Sequence, residues 1–209
     1  MLNEENIQLL SELPIRPMRI AFDHIDMKDI YIEKIRLANK YGIKELSNYI
    51  LYNYEDKPEH LYIRLKINIE LNEELNCKIY SFPMKYVPVT HTNRSFVGEH
   101  WNPKYLTAIN KIINVAKGIV APGKEFFEKA FGKDLEEYFK ILLMPDEYIL
   151  HRFDRERDGS IDSWWDSLMS LTDDEYSEVI KIIKSNNIKE LNINDLTDKA
   201  KDVLLHYLK

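Results

Sequence analysis

Residues 46–65 read LSNYILYNYEDKPEHLYIRL, and the fold turns on how this stretch is parsed. Its first half, Leu46 to Tyr54, is an aromatic and apolar run of the kind a parallel strand buried on both faces requires. Asp56-Lys57-Pro58-Glu59 then reads as a helix start: a capping carboxylate, proline in the first turn, and a second carboxylate at the third helical position. Leu61, Leu65, Ile69 and Leu71 supply the packing residues of a long helix ending near Leu75.

The same grammar holds on both sides of this unit. Upstream, residues 3–13 predict a short amphipathic helix, which Pro14 and Pro17 separate from a strand over Met18–Asp23, MRIAFD. Asp26 is the expected cap of a helix over residues 27–40, with Ile32, Ile35, Leu37 and Ala38 on its buried side and Gly42 as its left-handed stop. Downstream, Cys77–Tyr86 predicts a third strand, Val89–His100 an irregular loop, and Asn102-Pro103 the start of a helix closed by Gly118. From Pro122-Gly123 onward the chain reads as helices only, one of them opened by the box Thr172-Asp173-Asp174-Glu175. The expectation is an α/β fold: a partial (β/α) barrel of about three parallel strands with flanking helices over residues 1–120, then a helical C-terminal extension over 121–209.

At 209 residues, 44% apolar and 31% charged, the chain is long enough for a substantial core and reads as globular. No apolar run approaches the ~20 residues of a membrane span, and the acidic N-terminus lacks the basic and apolar regions of a signal peptide. A formal net charge of −6 argues against nucleic acid as a partner. The single cysteine, Cys77, excludes an internal disulfide framework and fits a cytoplasmic, reducing setting.

In βα architectures ligands bind where strands end. Those positions here are Asp23 and His24, Tyr52, Asn53 and Tyr54, and Ser81 with Lys85, each of which also reads as a plain turn or cap residue. Asp23 before His24 is either an acid–base pair, with a hydrolytic barrel as the corresponding function, or a loop cap. Asn53 and Asp56 stand where a strand hands over to a helix N-terminus, a setting that suits an anion. His91 and His100 flank Arg94 without any metal-ligand spacing. Asp154-x-Glu156-x-Asp158-Gly159 imitates a calcium loop, yet Trp165 stands where that loop requires a bidentate glutamate. Cys77 reads as a small apolar filler.

The stretch from Arg16 to Val89, continuing through RSFVGEHWNPKYLTAINKIINVAKG (94–118) to MPDEYILHR (144–152), resembles the second half of a radical S-adenosylmethionine domain. Its most telling phrase is residues 46–65, similar to the strand–turn–helix segment that carries a polar, acidic turn beside the cofactor in that family. The resemblance implies a partial (β/α)6 barrel whose last three strands are those found here. It also implies S-adenosylmethionine as cofactor, with Asp23, Tyr52, Asn53 and Ser81 near its adenosine or methionine parts. The family's [4Fe–4S] cluster is held by C-x-x-x-C-x-x-C, which this chain lacks, so the cluster is expected only if a cysteine-bearing partner chain supplies the thiolates.

The implied function is therefore the C-terminal portion of a radical S-adenosylmethionine protein, not competent alone. Its origin is a truncated product, half of a split enzyme, or a cluster-free descendant. The alternative is a non-catalytic interaction module that docks a partner through its open sheet edge. An open parallel sheet must be covered by the C-terminal helices, by a partner chain or by a second copy of itself.

Overall fold

The computed structural model describes residues 2–90, 94–191 and 195–208. It is α/β, with a three-stranded parallel open sheet in the order β1-β2-β3 and many helices. Helix α1 (Glu4–Ser11) leads to β1 (Met18–Arg19), and α2 (Lys28–Lys40) connects it to β2 (Glu45–Tyr52). Helix α3 (Pro58–Leu75) connects β2 to β3 (Lys78–Lys85). The remaining helices are α4 (Pro103–Val115), α5 (Lys124–Phe131), α6 (Leu135–Leu143), α7 (Asp146–Leu150), α8 (Arg152–Arg157), α9 (Ser160–Met169), α10 (Asp173–Ser185) and α11 (Asp198–Leu205).

β2 and β3 pair along their whole length, from Glu45 opposite Lys78 to Tyr52 opposite Lys85. β1 is far shorter than the run MRIAFD suggests, since only Met18 and Arg19 pair with β2. The carbonyls of Phe22 and Asp23 accept from the Arg64 guanidinium instead, at 3.3 and 2.7 Å. Helix α2 also starts differently. His24 precedes a 3-10 turn, Ile25–Met27, and its Nδ1 accepts the Asp26 N–H at 3.3 Å, so Asp26 lies inside the turn and does not cap the helix.

The neighbours of α3 decide how the sheet is held. Arg64, Asn68 and Asn72 recur every four residues on the face packed against the sheet, and all three are buried. Asn68 accepts from the Tyr31 hydroxyl and donates to Ser81 Oγ, both at 2.8 Å; Asn48 Nδ2 donates to the same Tyr31 oxygen at 2.8 Å. Asn72 Oδ1 accepts the Ile79 N–H at 2.7 Å. Most polar groups under the sheet are thus spent on one another, Asn48 Oδ1 being a buried acceptor left without a partner, and the bonds fix register at the cost of apolar burial.

The β3 edge is blunted along its length. Odd-numbered residues point their backbone groups away from β2: Ile79 N–H goes to Asn72, Ser81 exchanges two bonds with Val120, and Pro83 has no N–H. The sheet faces differ more than its edges. Ile79, Ser81, Leu46, Asn48 and Ile50 are buried on the side of α3, whereas Tyr49 and Met84 on the opposite side are 41% and 49% exposed. Tyr49 packs on Phe82 there, and the Arg19 guanidinium lies 4.7 Å from the Tyr49 ring.

Two clusters of buried apolar side chains form the core, with Ile63 against both. The smaller joins β1, α2 and the start of β3 through Phe22, Ile35, Leu46 and Ile79. The larger runs from Ile50 and Tyr52 across residue 120 to Val203 and Leu204, so the C-terminal helices share a core with the end of β2. Lys104, 1% exposed, sends its ammonium to Asp146 at 2.5 Å, and Tyr207 donates to the Leu143 carbonyl at 2.7 Å, tying the end of the chain to α6. Among the described residues no helix is long and apolar enough to cross a membrane.

Candidate functional site

The carboxyl ends of β2 and β3 open onto a turn, Asn53 to Lys57, against which residues 94–100 pack through Phe96 and Gly98. Asn53 adopts φ 68°, a left-handed conformation that asparagine tolerates better than most side chains. That twist directs its side chain inward, where it is fully buried. Nδ2 donates to the carbonyls of Tyr86 and Phe96 at 3.0 and 3.1 Å, and Oδ1 accepts the Gly98 N–H at 2.8 Å. Glycine is needed at 98 because a Cβ there would lie 2.8 Å from the Tyr54 carbonyl oxygen.

Asp56 is not the helix cap its sequence position suggests. Helix α3 begins at Pro58 after Lys57, whose N–H donates to His60 Nδ1 at 3.4 Å. Asp56 turns inward, 4% exposed, and its Oδ2 accepts from Arg64 Nη2 at 3.0 Å. Its Oδ1 accepts the Tyr54 N–H, and Trp101 Nε1 donates to its carbonyl at 2.8 Å. Arg64 also donates to the carbonyls of Leu51 and His60, so one guanidinium joins the end of β2 and the Phe22–Asp23 segment to α3. Burial pushes the Asp56 carboxyl up and the Arg64 guanidinium down, and each charge opposes the shift of the other. Periodicity held the signal for this knot: Arg64, Asn68 and Asn72 repeat at helical spacing among Leu61, Leu65 and Ile69.

Tyr52 ends β2 beside Trp101, ring centroids 5.5 Å apart, and is 3% exposed. It borders a cleft of about 1160 Å³ lying between the end of β3, residues 87–89 and 94–97, and the first turns of α4. Lys85 and Arg94 line the same cleft, with Lys85 Nζ donating to the Arg94 carbonyl at 3.0 Å. Burial and the neighbouring guanidinium of Arg94 hold the Lys85 ammonium below its ordinary pKa. The Tyr52 hydroxyl meets no hydrogen-bond partner among the described residues, and burial pushes it up to about 12, so it remains a donor at neutral pH.

The four residues singled out in the sequence therefore lie in different settings. Tyr52 borders the cleft. Asn53 sits behind it, its amide engaged by three backbone groups. Ser81 is 1% exposed beneath the sheet, with its hydroxyl bonded to Asn68. Asp23 is exposed at the rim, and only its carbonyl takes part in the Arg64 knot. His24 engages Asp26 rather than Asp23, and its ring meets that of His60 edge-on at 6.5 Å.

Among the described residues no group of three or more His, Cys, Asp or Glu side chains is placed to hold a metal ion. His91 lies outside the described residues. The carboxylates of the calcium-like stretch belong to α8 and its end, where Asp154, Glu156 and Asp158 pair with Arg157, Arg152 and Arg155. The donors of a [4Fe–4S] cluster do not fit this chain. Its one cysteine is buried at the opposite end of β3, with Sγ 3.6 Å from the Leu71 carbonyl, and burial raises its thiol pKa.

Comparison with known proteins gives no match: no family model, no curated protein and no solved structure is similar to the chain.

Proposed function

We propose that this chain is the second half of a radical S-adenosylmethionine-like barrel, contributing a wall to an active site completed by another polypeptide. The observation that carries this reading is the uncovered sheet face bearing Tyr49, Phe82 and Met84. Parallel sheets are ordinarily buried on both faces, because their crossover helices and neighbours leave neither side to water. In a partial barrel the same face is the inner wall, and further strands beside β1 would enclose it. The blunted β3 edge favours such a partner over strand addition at that edge, which Val120 and Pro83 obstruct.

In this reading the partner is a cysteine-bearing chain, because cluster ligation requires thiolates this chain does not offer. Cleavage chemistry belongs to the assembled pair, and no step is assigned to Asp23, Asn53 or Ser81. A cytoplasmic location follows from the same requirement for a reducing compartment.

The test is capture of tagged chain from anaerobic host extract, with mass spectrometry of what accompanies it. A stoichiometric partner carrying C-x-x-x-C-x-x-C is expected with the unaltered chain and is lost with the double variant Tyr49→Ser/Phe82→Ser, whose retained fold is checked by circular dichroism and urea denaturation. Iron–sulfur reconstitution of the chain alone is expected to leave it colourless. Uptake of about four irons per isolated chain would overturn the reading.

A further inference from the structure

We propose that the cleft between β3 and α4 binds a small organic anion, a carboxylate or phosphate carried on an apolar body. This goes beyond the barrel reading, and it stands even if no partner chain exists.

The lining shows what the cleft prefers. Among its described lining residues none carries a carboxylate, whereas Lys85 and Arg94 both carry a positive charge. The whole chain has a formal net charge of −6, so an acid-free concavity with two cations is not what its average surface supplies. Cations in a concave, partly apolar setting focus their field on the space between them and raise the local concentration of anions.

Tyr52 is the second, independent observation. It is 3% exposed and lines the cleft, yet its hydroxyl meets no partner among the described residues. The hydroxyl is not one of the fully buried polar atoms left without a partner, so it opens onto the cleft. A ligand oxygen in the cleft would satisfy this donor. Much of the remaining wall is apolar, with Pro83, Val87, Val97 and Leu106 facing the same space, alongside the neutral polar groups of Ser95, Thr107 and Asn110. A charged head at Lys85 and Arg94, fixed by the Tyr52 hydroxyl, with an apolar body against those walls, matches the general design of small-molecule sites. Such a site takes the bound head by point charge and by one oriented hydrogen bond, so it distinguishes an anion from a neutral molecule of the same shape.

The cleft meets the uncovered sheet face at Met84, which lines both, whereas its binding groups lie on the other side. Tyr52 belongs to the even-numbered residues of β2, the set that includes Leu46, Asn48 and Ile50 under α3, whereas Tyr49 points to the other side. Ligand binding is tested through Tyr52 and Lys85 and partner docking through Tyr49 and Phe82, so the two remain separable.

The experiment titrates the purified full chain with phenyl phosphate, benzoate, inorganic phosphate and, as neutral control, benzyl alcohol, followed by calorimetry and by NMR shifts of the Val97 and Leu106 amides. Saturable binding of phenyl phosphate or benzoate is expected, with benzyl alcohol at least tenfold weaker. The two anions distinguish phosphate from carboxylate heads, and weak inorganic phosphate shows that the apolar body contributes. Lys85→Met, a change at the cleft wall, is expected to weaken the anion about tenfold, and Tyr52→Phe about tenfold as well, with circular dichroism unchanged. Three results overturn the proposal: no saturable binding by any of the anions, equal binding of benzyl alcohol, or full affinity in folded Lys85→Met and Tyr52→Phe. If Tyr52→Phe proves unfolded, the Lys85→Met result decides.

Discussion

The two faces of the three-stranded sheet share strands, register and hydrogen bonds, and differ in what meets them. Under α3, Arg64, Asn68 and Asn72 reach into the sheet and satisfy backbone and side-chain groups of β2, β3, α2 and the segment that follows β1. On the other side the Tyr49 and Phe82 rings meet at a tilt, and the Arg19 guanidinium lies over the Tyr49 ring. A parallel sheet built in isolation would be expected to cover both sides with its own helices. This chain instead sends its C-terminal helices to the end of β2 and to α3 and α4, where they extend one core and leave the second face alone. The lesson is that helices following a sheet in sequence need not be its missing cover.

The largest test of this contrast is Arg64→Met. Removing the guanidinium leaves the Asp56 carboxylate buried and frees the carbonyls of Leu51 and Asp23. A stability loss of about 3–5 kcal/mol in urea denaturation is expected, with part of it restored by adding Asp56→Leu. A loss below about 1 kcal/mol would mean that the polar ladder does not hold the covered face.

Gly98→Ala comes next. Its Cβ would approach the Tyr54 and Asn53 carbonyl oxygens at 2.8 and 2.9 Å, and backbone does not yield readily. A loss of about 1–3 kcal/mol is expected by thermal or urea melting. A neutral result would show that the segment over the strand ends shifts freely, and the Tyr52 cleft would lose its fixed wall.

The smallest expected effect is a pH dependence at His60. Burial lowers its pKa from the ordinary 6.5, and its Nδ1 accepts the Lys57 N–H, which needs the unprotonated nitrogen. The folded state therefore binds fewer protons than the unfolded state in this window. Its contribution is present above pH 6.5 and is lost as pH falls through the lowered folded value. His60→Gln should flatten the stability–pH curve below 6.5, and an unchanged slope would remove His60 from this role.

Much of the helical side was legible in the chain itself. Gly42 and Gly159 adopt the positive φ expected of turn and stop residues, and the Thr172–Glu175 box forms with both reciprocal bonds. Local signals suffice there because each is settled within a few residues. The failures share a different cause. MRIAFD promised six paired residues and gives two, and the carbonyls of Phe22 and Asp23 are taken by a long-range donor, Arg64. Asp56 looked like a cap, but its partner lies eight residues on, and a capping carboxylate and a buried counter-ion are identical in sequence. Tyr52, Asn53 and Ser81 are adjacent to strand ends or interiors alike, and only side-chain direction separates the cleft wall from the groups that fasten the fold.

The most direct measurement of the central claim is oxidative footprinting of Met84 and Tyr49 by dilute peroxide and hydroxyl radicals. It is made on the isolated monomer and on chain captured from host extract. In the monomer both should react readily, while Met18, 5% exposed, resists; in the captured assembly both should become protected. Protection of Met84 and Tyr49 already in the isolated monomer, or equal reactivity in both samples, would contradict a sheet face awaiting a second polypeptide.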